Sequence, residues 1–188
     1  MKLWRETIGS QAKLSRSIKS KTFGKYNWSC STARLTIRSR RLTAALAKLG
    51  VVPAKTGHTI YPTAIPESLA PCFWLGALDG DGWLAWGNSG ERRQFTLGIT
   101  GDLPLIEAFQ AFCQKHTPTR ANIQPNGSKV YKFVVSDWFA FDVANLLYDN
   151  AQVALPRKQQ VYYEACEEFR QKQRPVRNWS AHPNPFLP

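Results

Sequence analysis

The sequence predicts an α+β fold: one antiparallel sheet made of two hairpins, helices behind it and a polar face in front. Three observations predict it. From residue 68 onward, stretches with helical spacing of apolar residues and stretches of strict alternation follow in the order helix, strand, strand, helix, strand, strand, helix, helix. Turn-forming clusters, Gly87-Asn88-Ser89-Gly90 and Pro125-Asn126-Gly127-Ser128, divide the strands of each pair. An apolar helix also runs straight into two acids, each followed by glycine: residues Trp74 to Gly82 read W-L-G-A-L-D-G-D-G. Charge delivered to the edge of a core is costly unless something compensates it, and a metal ion is one such compensation.

Taken in order, residues 1–28 are basic and serine-rich with little apolar periodicity, and predict a loose arm or poorly supported strands. Residues 33–38 alternate and predict a strand. Ser39 is placed to cap a helix from Arg40 to Leu49, with Leu42, Ala45, Leu46 and Leu49 on one face and Gly50 as its stop. A loop with Pro53, Gly57, Pro62 and Pro66 follows. Ser68 opens the motif helix, in which Leu69, Cys72, Phe73, Gly76 and Ala77 recur at three- and four-residue steps and Gly80 and Gly82 end the helix. A strand at Trp83–Trp86 precedes the first turn. In the next strand, residues 92–100, Phe95, Leu97 and Ile99 face one way and Arg92, Gln94, Thr96 and Gly98 the other. Leu105, Ile106, Phe109, Phe112 and Cys113 line a helix over 103–116. Strands near 119–124 and 129–135 flank Asn126-Gly127. Helices over 137–149 and from Pro156 to Gln171 complete the chain.

Composition narrows the functional classes. With 188 residues, 43% apolar, and seven Trp, ten Phe and six Tyr, the chain suits one packed domain or a domain with a short appendage. No apolar run approaches a membrane span and no signal-peptide core follows the basic N-terminus, so no membrane partner is expected. The four cysteines show no metal-binding spacing and predict reduced, mostly buried thiols of an intracellular protein. The net charge is +12; residues 1–66 hold 13 of the 25 basic residues and the single acid Glu6, while residues 67–188 balance. That asymmetry points to a polyanion, nucleic acid first. A strand-Ser-helix-Pro order recurs in residues 33–55 and 130–158, a weak internal echo. The expected division is a basic region 1–66, a domain 67–171 and a tail 172–188.

The nonamer at Trp74–Gly82, placed before this order of strands and helices, resembles the motif of the LAGLIDADG homing endonucleases, and the resemblance covers residues 68–170. Arg157-Lys158 before the last helix, after an apolar helix ending Leu146-Leu147-Tyr148, is similar to the tail of such domains. Residues 33–66 resemble the end of a preceding repeat. The family has an αββαββα core with a saddle-shaped antiparallel sheet. Its motif helices pack side by side between two repeats or two subunits. The resemblance implies that Gly76 and Phe73 belong to that helix interface. It implies that Asp81, with the carbonyl of Gly80, holds a divalent cation, and that Asp79 caps or hydrogen-bonds near the helix end. Hard oxygen ligands suit Mg2+ or Mn2+. With no second D-G-D-G in the chain, a homodimer through the motif helix is expected.

The resemblance implies site-specific hydrolysis of double-stranded DNA, intron- or intein-associated, with Asp81, Asp79 and Lys132 as catalytic candidates. Arg92, Gln94 and Thr96 are the candidate base readers, with Arg93, Lys129 and Lys132 as further DNA-binding candidates. Arg38, Arg40, Arg41 and Arg120 are candidates for phosphate contacts. The alternative is a non-cleaving binder on the same scaffold, an intron RNA maturase or a DNA-binding regulator. The chain departs from the family at Leu75, where a small residue is common, and at strand ends Thr100-Gly101 and Val135-Ser136, which lack the usual amide or basic residue. Lys132 is the nearest substitute. Trp83 and Trp86 are expected in the core, and an organellar, bacterial or phage setting is expected.

Overall fold

The computed structural model describes residues 9, 11–23, 26–51, 57, 59–149 and 151–172. The chain divides into two compact units, Met1–Lys48 and Leu49–Pro188. The proline-rich loop is anchored in the second unit. The Asp102 carboxylate accepts the backbone N–H groups of Gly57 (3.0 Å) and Thr59 (2.8 Å), and Tyr61 stacks on Trp74 at 5.2 Å.

In the first unit, β1 (Leu14–Phe23) and β2 (Tyr26–Leu35) form an antiparallel hairpin in which Leu14 opposes Leu35. Of the two expectations for residues 1–28, a loose arm or poorly supported strands, the strands are found, and the strand expected at 33–38 overlaps β2 only at residues 33–35. The sequence of β1 is mostly serine and cations, while that of β2 alternates Tyr26, Trp28 and Cys30 with Asn27, Ser29 and Ser31. Backbone pairing and cross-strand hydroxyl contacts such as Ser17 to Thr32 (2.7 Å) join the two strands. Helix α1 (Arg40–Lys48) follows, with the Ser39 hydroxyl accepting the Leu42 N–H at 3.1 Å as its cap. No residue of α1 is buried, so its leucine stripe covers no core.

The second unit carries the α+β core. A 3-10 turn (Glu67–Leu69) leads into α2 (Ala70–Asp81), β3 (Gly82–Ser89), β4 (Arg92–Gly101), α3 (Leu103–His116), β5 (Gln124–Pro125), β6 (Tyr131–Ser136), α4 (Asp137–Tyr148) and α5 (Pro156–Gln171). The four strands form one antiparallel sheet in the order β3-β4-β6-β5. The αββαββα order is the one the motif resemblance implies. Phe95, Leu97 and Ile99 of β4 and Phe133 and Val135 of β6 lie on one face. They pack into a single core with Leu105, Ile106 and Phe109 of α3, Val143 and Leu147 of α4, and Ala165 and Phe169 of α5. Among the described residues no helix is long and apolar enough to cross a membrane.

Three local expectations change. The first turn is tighter, since β3 runs on through Ser89 and Gly90 (φ +62°) makes the reversal. Strand β5 has two residues, not six, because Pro125 lacks the N–H a longer ladder would use and survives only at the sheet edge. The thiols are mixed: Cys113 is buried, Cys30 and Cys166 are intermediate, and Cys72 is exposed.

On α2 the buried side is Ala70, Trp74, Leu75 and Leu78, whereas Leu69, Cys72 and Gly76, part of the apolar stripe read in the sequence, are exposed. The helix is apolar nearly all the way round, so periodicity could not select the inward side. Leu75 consequently packs into this chain's own core and lies off the stripe of Cys72, Gly76 and Gly80. The two motif glycines near the helix end also differ in role. Gly80 is helical, with open space where a Cβ would stand. Gly82 caps the helix, its N–H bonding to the Leu78 carbonyl, and a Cβ there would lie 2.6 Å from the Gly98 carbonyl oxygen. Gly82→Ala is expected to destabilise the protein by about 1–3 kcal/mol, as overpacking against backbone does. Gly80→Ala should be neutral or stabilising by up to about 1 kcal/mol through helix propensity. Paired urea denaturation curves check both.

Candidate metal and nucleic-acid site

Strand pairing assigns every side chain of the sheet to a face. Directly opposed residues share a face, and successive residues alternate. The face away from the core carries Trp83, Ala85, Gly87 and Ser89 of β3. Beside them stand Arg92, Gln94, Thr96, Gly98 and Thr100 of β4, Lys132, Val134 and Ser136 of β6, and Gln124 of β5. No strand residue on this face is acidic. Arg92 stands at one end, paired with Asp137 at 2.9 Å; at 71% exposure this ion pair contributes little to stability. Gln94 and Thr96 are half-buried, and the Thr96 hydroxyl donates to the Ala85 carbonyl at 3.4 Å.

Arg93 is not on this face. It shares parity with Phe95, bonds Glu168 of α5 at 2.7 Å and lies 4.2 Å over the Trp86 ring. Alternation turns this DNA-binding candidate to the helix side of the sheet. Trp86 packs on Phe95 and Phe169 against the core, as expected. Trp83 does not join the core. It opposes Gly98, and a Cβ on Gly98 would meet its ring at 2.4 Å, so the indole lies flat on the outer face over a glycine that leaves room for it. Lys129 is exposed in the β5–β6 turn with φ +61°, and Arg120 is exposed before β5. Arg38, Arg40 and Arg41 are exposed in the first unit.

The motif acids end up in different surroundings. Asp81, the last residue of α2, is exposed, and among the described residues its carboxylate makes no hydrogen bond or ion pair. Its backbone carbonyl accepts the Thr100 hydroxyl at 2.9 Å. Thr100 opposes Lys132, and Lys132 opposes Gln124, so one row of polar side chains runs across the sheet from the Asp81 end. The structure thus places Thr100 and Lys132 in one row, with the Asp81 backbone carbonyl bonded at its Thr100 end. Asp79 turns inward: Oδ2 accepts the N–H of Leu155 at 2.8 Å, while Oδ1 is buried without a hydrogen bond. Burial, and then the nearby Asp79 charge, push the Tyr148 phenol well above its ordinary range.

The cation at the motif turn is Lys158, which was quoted in sequence only as part of a family-like tail. It is 2% exposed, and its ammonium donates to the carbonyls of Leu78, Gly82 (2.6 Å) and Asp79 (3.3 Å). Burial lowers its pKa and Arg157 adds to that, while Asp79 and Asp81 act in the opposite sense. Its sequence signals are the family-like Arg157-Lys158 pair and its place two residues after Pro156, at the start of α5.

The donor set fits half of a divalent site. Asp81 supplies an uncommitted hard carboxylate, and the Gly80 carbonyl receives none of the bonds that engage Leu78, Asp79, Asp81 and Gly82. Among the described residues no group of three or more His, Cys, Asp or Glu side chains surrounds a point. Mg2+ commonly takes one or two carboxylates, with water and phosphate oxygens completing the shell, so a second carboxylate and a phosphate would complete this one.

No protein-family model matches the chain, and no curated protein does. Among solved structures it is similar to a homing endonuclease, I-TnaI, at 13% identity over 54% of this chain and 75% of that one, with a TM-score of 0.43. It is also similar to the homing endonuclease I-CvuI in complex with an I-CreI target in the presence of Mg, at 11% identity, 52% and 64% coverage and a TM-score of 0.41. For I-SmaMI bound to uncleaved DNA target in the presence of calcium ions the values are 13%, 71%, 51% and 0.36. The likeness spans 64% of I-CvuI and 51% of I-SmaMI.

Proposed function

We propose that this protein is a metal-dependent, site-specific DNA endonuclease of the LAGLIDADG homing type, acting as a homodimer on double-stranded DNA. The observation that carries the reading is the Asp81 carboxylate, exposed and uncommitted at the tip of an apolar helix and beside an acid-free polar sheet face. A β-sheet face of this width can lie along the major groove, where base edges carry a readable code. Arg92, Gln94, Thr96 and Lys132 would face that groove. Lys129, Arg120 and the first unit's Arg38, Arg40 and Arg41 would meet phosphates, which set position. Asp81 and the Gly80 carbonyl would hold Mg2+ or Mn2+. Bound there, the ion would activate water for attack and neutralise charge developing on the scissile phosphate. Lys132 stands in the row leading to that point. Asp79 acts in the fold, by receiving the Leu155 N–H. An intron or intein association is part of the proposal, as is an organellar, bacterial or phage host.

Among the described residues one such carboxylate stands at the motif turn, so the second is assigned to a twin packed across α2. The exposed stripe of Leu69, Cys72, Gly76 and Gly80, with Phe73 at its margin, is the surface for that crossing. Nothing within 4 Å surrounds a Cβ built on Gly76, so this chain's own packing does not require glycine there. Gly76→Phe should leave the protomer folded and halve the mass measured by sedimentation equilibrium. A monomeric parent protein, or an unchanged mass in the variant, would remove the α2 dimer.

The function is tested by incubating the purified chain with a randomised-site DNA library in Mg2+ or Mn2+ and sequencing the cut ends. Recovery of one pseudo-palindromic site is the expected result. Selective binding without cutting in either metal would favour the alternative, a non-cleaving DNA regulator or an intron RNA maturase. Absence of any selectivity would remove both.

A further inference from the structure

One row of the outer sheet face is apolar across three strands. Strand register sets Trp83, Gly98 and Val134 side by side on β3, β4 and β6. To one side lies the row of Thr100, Lys132 and Gln124, whose Thr100 hydroxyl bonds the Asp81 carbonyl; to the other lie Ala85, Thr96 and Ser136. Trp83 and Val134 are half-buried and keep surface open to solvent, whereas Gly98 is buried. The indole accounts for that burial, since a Cβ on Gly98 would stand 2.4 to 2.9 Å from three atoms of its six-membered ring. The ring therefore rests on the glycine and turns a broad face, not an edge, away from the sheet. Covering a strand glycine with a cross-strand aromatic supports the sheet. It also leaves an apolar strip on a face whose other side chains, Ala85 apart, are hydroxyls, amides and cations.

Among the groups that base pairs display in the major groove, the thymine methyl is the apolar one; the rest are hydrogen-bond donors and acceptors. We infer that Trp83, with Val134 beside it, is a specificity-determining residue that packs on thymine methyl groups of duplex DNA near the Asp81 end of the face. The charge of the face suits that partner, since no strand residue on it is acidic and Arg92 and Lys132 are cationic. The apolar row stands two strand residues, about 7 Å, from the Thr100–Lys132 row, which is about two base-pair steps. Gln94 and Arg92 lie farther along β4 and meet base pairs farther out. The same chemistry separates DNA from RNA: uracil carries no methyl, and the A-form major groove is too deep and narrow for side chains to read. The inference rests on the reading of this face as the DNA face and does not require cleavage.

The test selects duplexes from a random library by binding to the full chain, with no cutting required. In the selected duplex each thymine is then replaced in turn by uracil, which removes the methyl and keeps the base pair. Affinity of the parent protein should fall by about fourfold at each inner thymine, the factor that exposing one buried methyl group corresponds to. Trp83→Ala should bind the thymine and uracil duplexes alike at those positions, and Val134→Thr should narrow the difference. If Trp83 serves only to cover Gly98, Trp83→Ala weakens both duplexes by one factor and the uracil effect persists, which overturns the inference. If Trp83→Ala does not fold, the parent protein decides. Bromouracil, whose bromine takes the place of the methyl, is put at an inner thymine and irradiated. A crosslink to Trp83 supports the inference; one that maps to another residue, or none at a uracil-sensitive position, overturns it. A duplex that is bound but not cut in Mg2+ or Mn2+ removes the nuclease, and the uracil scan then decides on Trp83 alone. No preferred sequence, or no uracil-sensitive position, overturns the inference whatever the cleavage assay shows.

Discussion

Asp81→Asn is expected to slow single-turnover cleavage of the selected site by about 10^3-fold or more, the factor that several kcal/mol of lost charge stabilisation implies. Folding and DNA affinity should stay nearly unchanged. The separation follows from the surroundings of the side chain. The Asp81 carboxylate makes no hydrogen bond or ion pair among the described residues, so the isosteric amide removes charge without removing a structural contact. The carbonyl that accepts the Thr100 hydroxyl belongs to the backbone and survives the substitution. Asp79→Asn should behave differently, because Asp79 Oδ2 receives a backbone N–H inside the α2–α5 junction. Its main effect should be on stability, measured by urea midpoint. Cleavage retained in Asp81→Asn, with Mg2+ still required, would end the assignment of Asp81 as the metal ligand.

Trp74→Ala should produce the largest loss of stability, about 3–5 kcal/mol, the usual cost of truncating a buried large aromatic. Trp74 is 1% exposed and contacts four rings: Tyr61 stacked at 5.2 Å, Phe73 and Phe109 at 5.0 Å, and Phe112 at 5.9 Å. It therefore joins the loop before α2, α2 itself and α3 in one aromatic cluster, and its removal leaves a cavity whose walls belong to three separate segments. Neighbouring Phe73 is only half-buried, and Phe73→Ala should cost about 1 kcal/mol, in keeping with the smaller area it removes from water. Urea unfolding followed by far-UV circular dichroism measures both. A midpoint for Trp74→Ala equal to that of Phe73→Ala would contradict the packing described for α2.

How much of this was readable in the residues differs element by element, for physical reasons. Helix α3 runs from Leu103 to His116 as expected, because its apolar spacing is amphipathic and Pro104 suits a first turn. The start of α5 at Pro156 was readable on the same ground. The inward face of β4 followed from alternation, which also implied that Arg93, sharing parity with Phe95, turns to the helices. The hairpin of β1 and β2 left little apolar signature in its first strand, which is mostly serine and cations, and its described side chains are exposed or half-buried. The hydroxyl cap at Ser39 was readable, but its echo at Ser136 is an N-cap without a side-chain hydrogen bond.

The order of elements, the position of the Asp-Gly-Asp-Gly turn at a helix end and the concentration of positive charge in the first third were determined by the sequence alone, because periodicity, turn chemistry and charge are local properties of a chain. The tertiary structure decided which side of α2 is buried, that Trp83 lies outside the core over Gly98, that Asp79 turns inward while Asp81 remains exposed, and that Lys158 reaches the motif turn. Each of these depends on a neighbour brought close only by folding, in the last case one 76 to 80 residues away in sequence, and local pattern carries no record of such a partner.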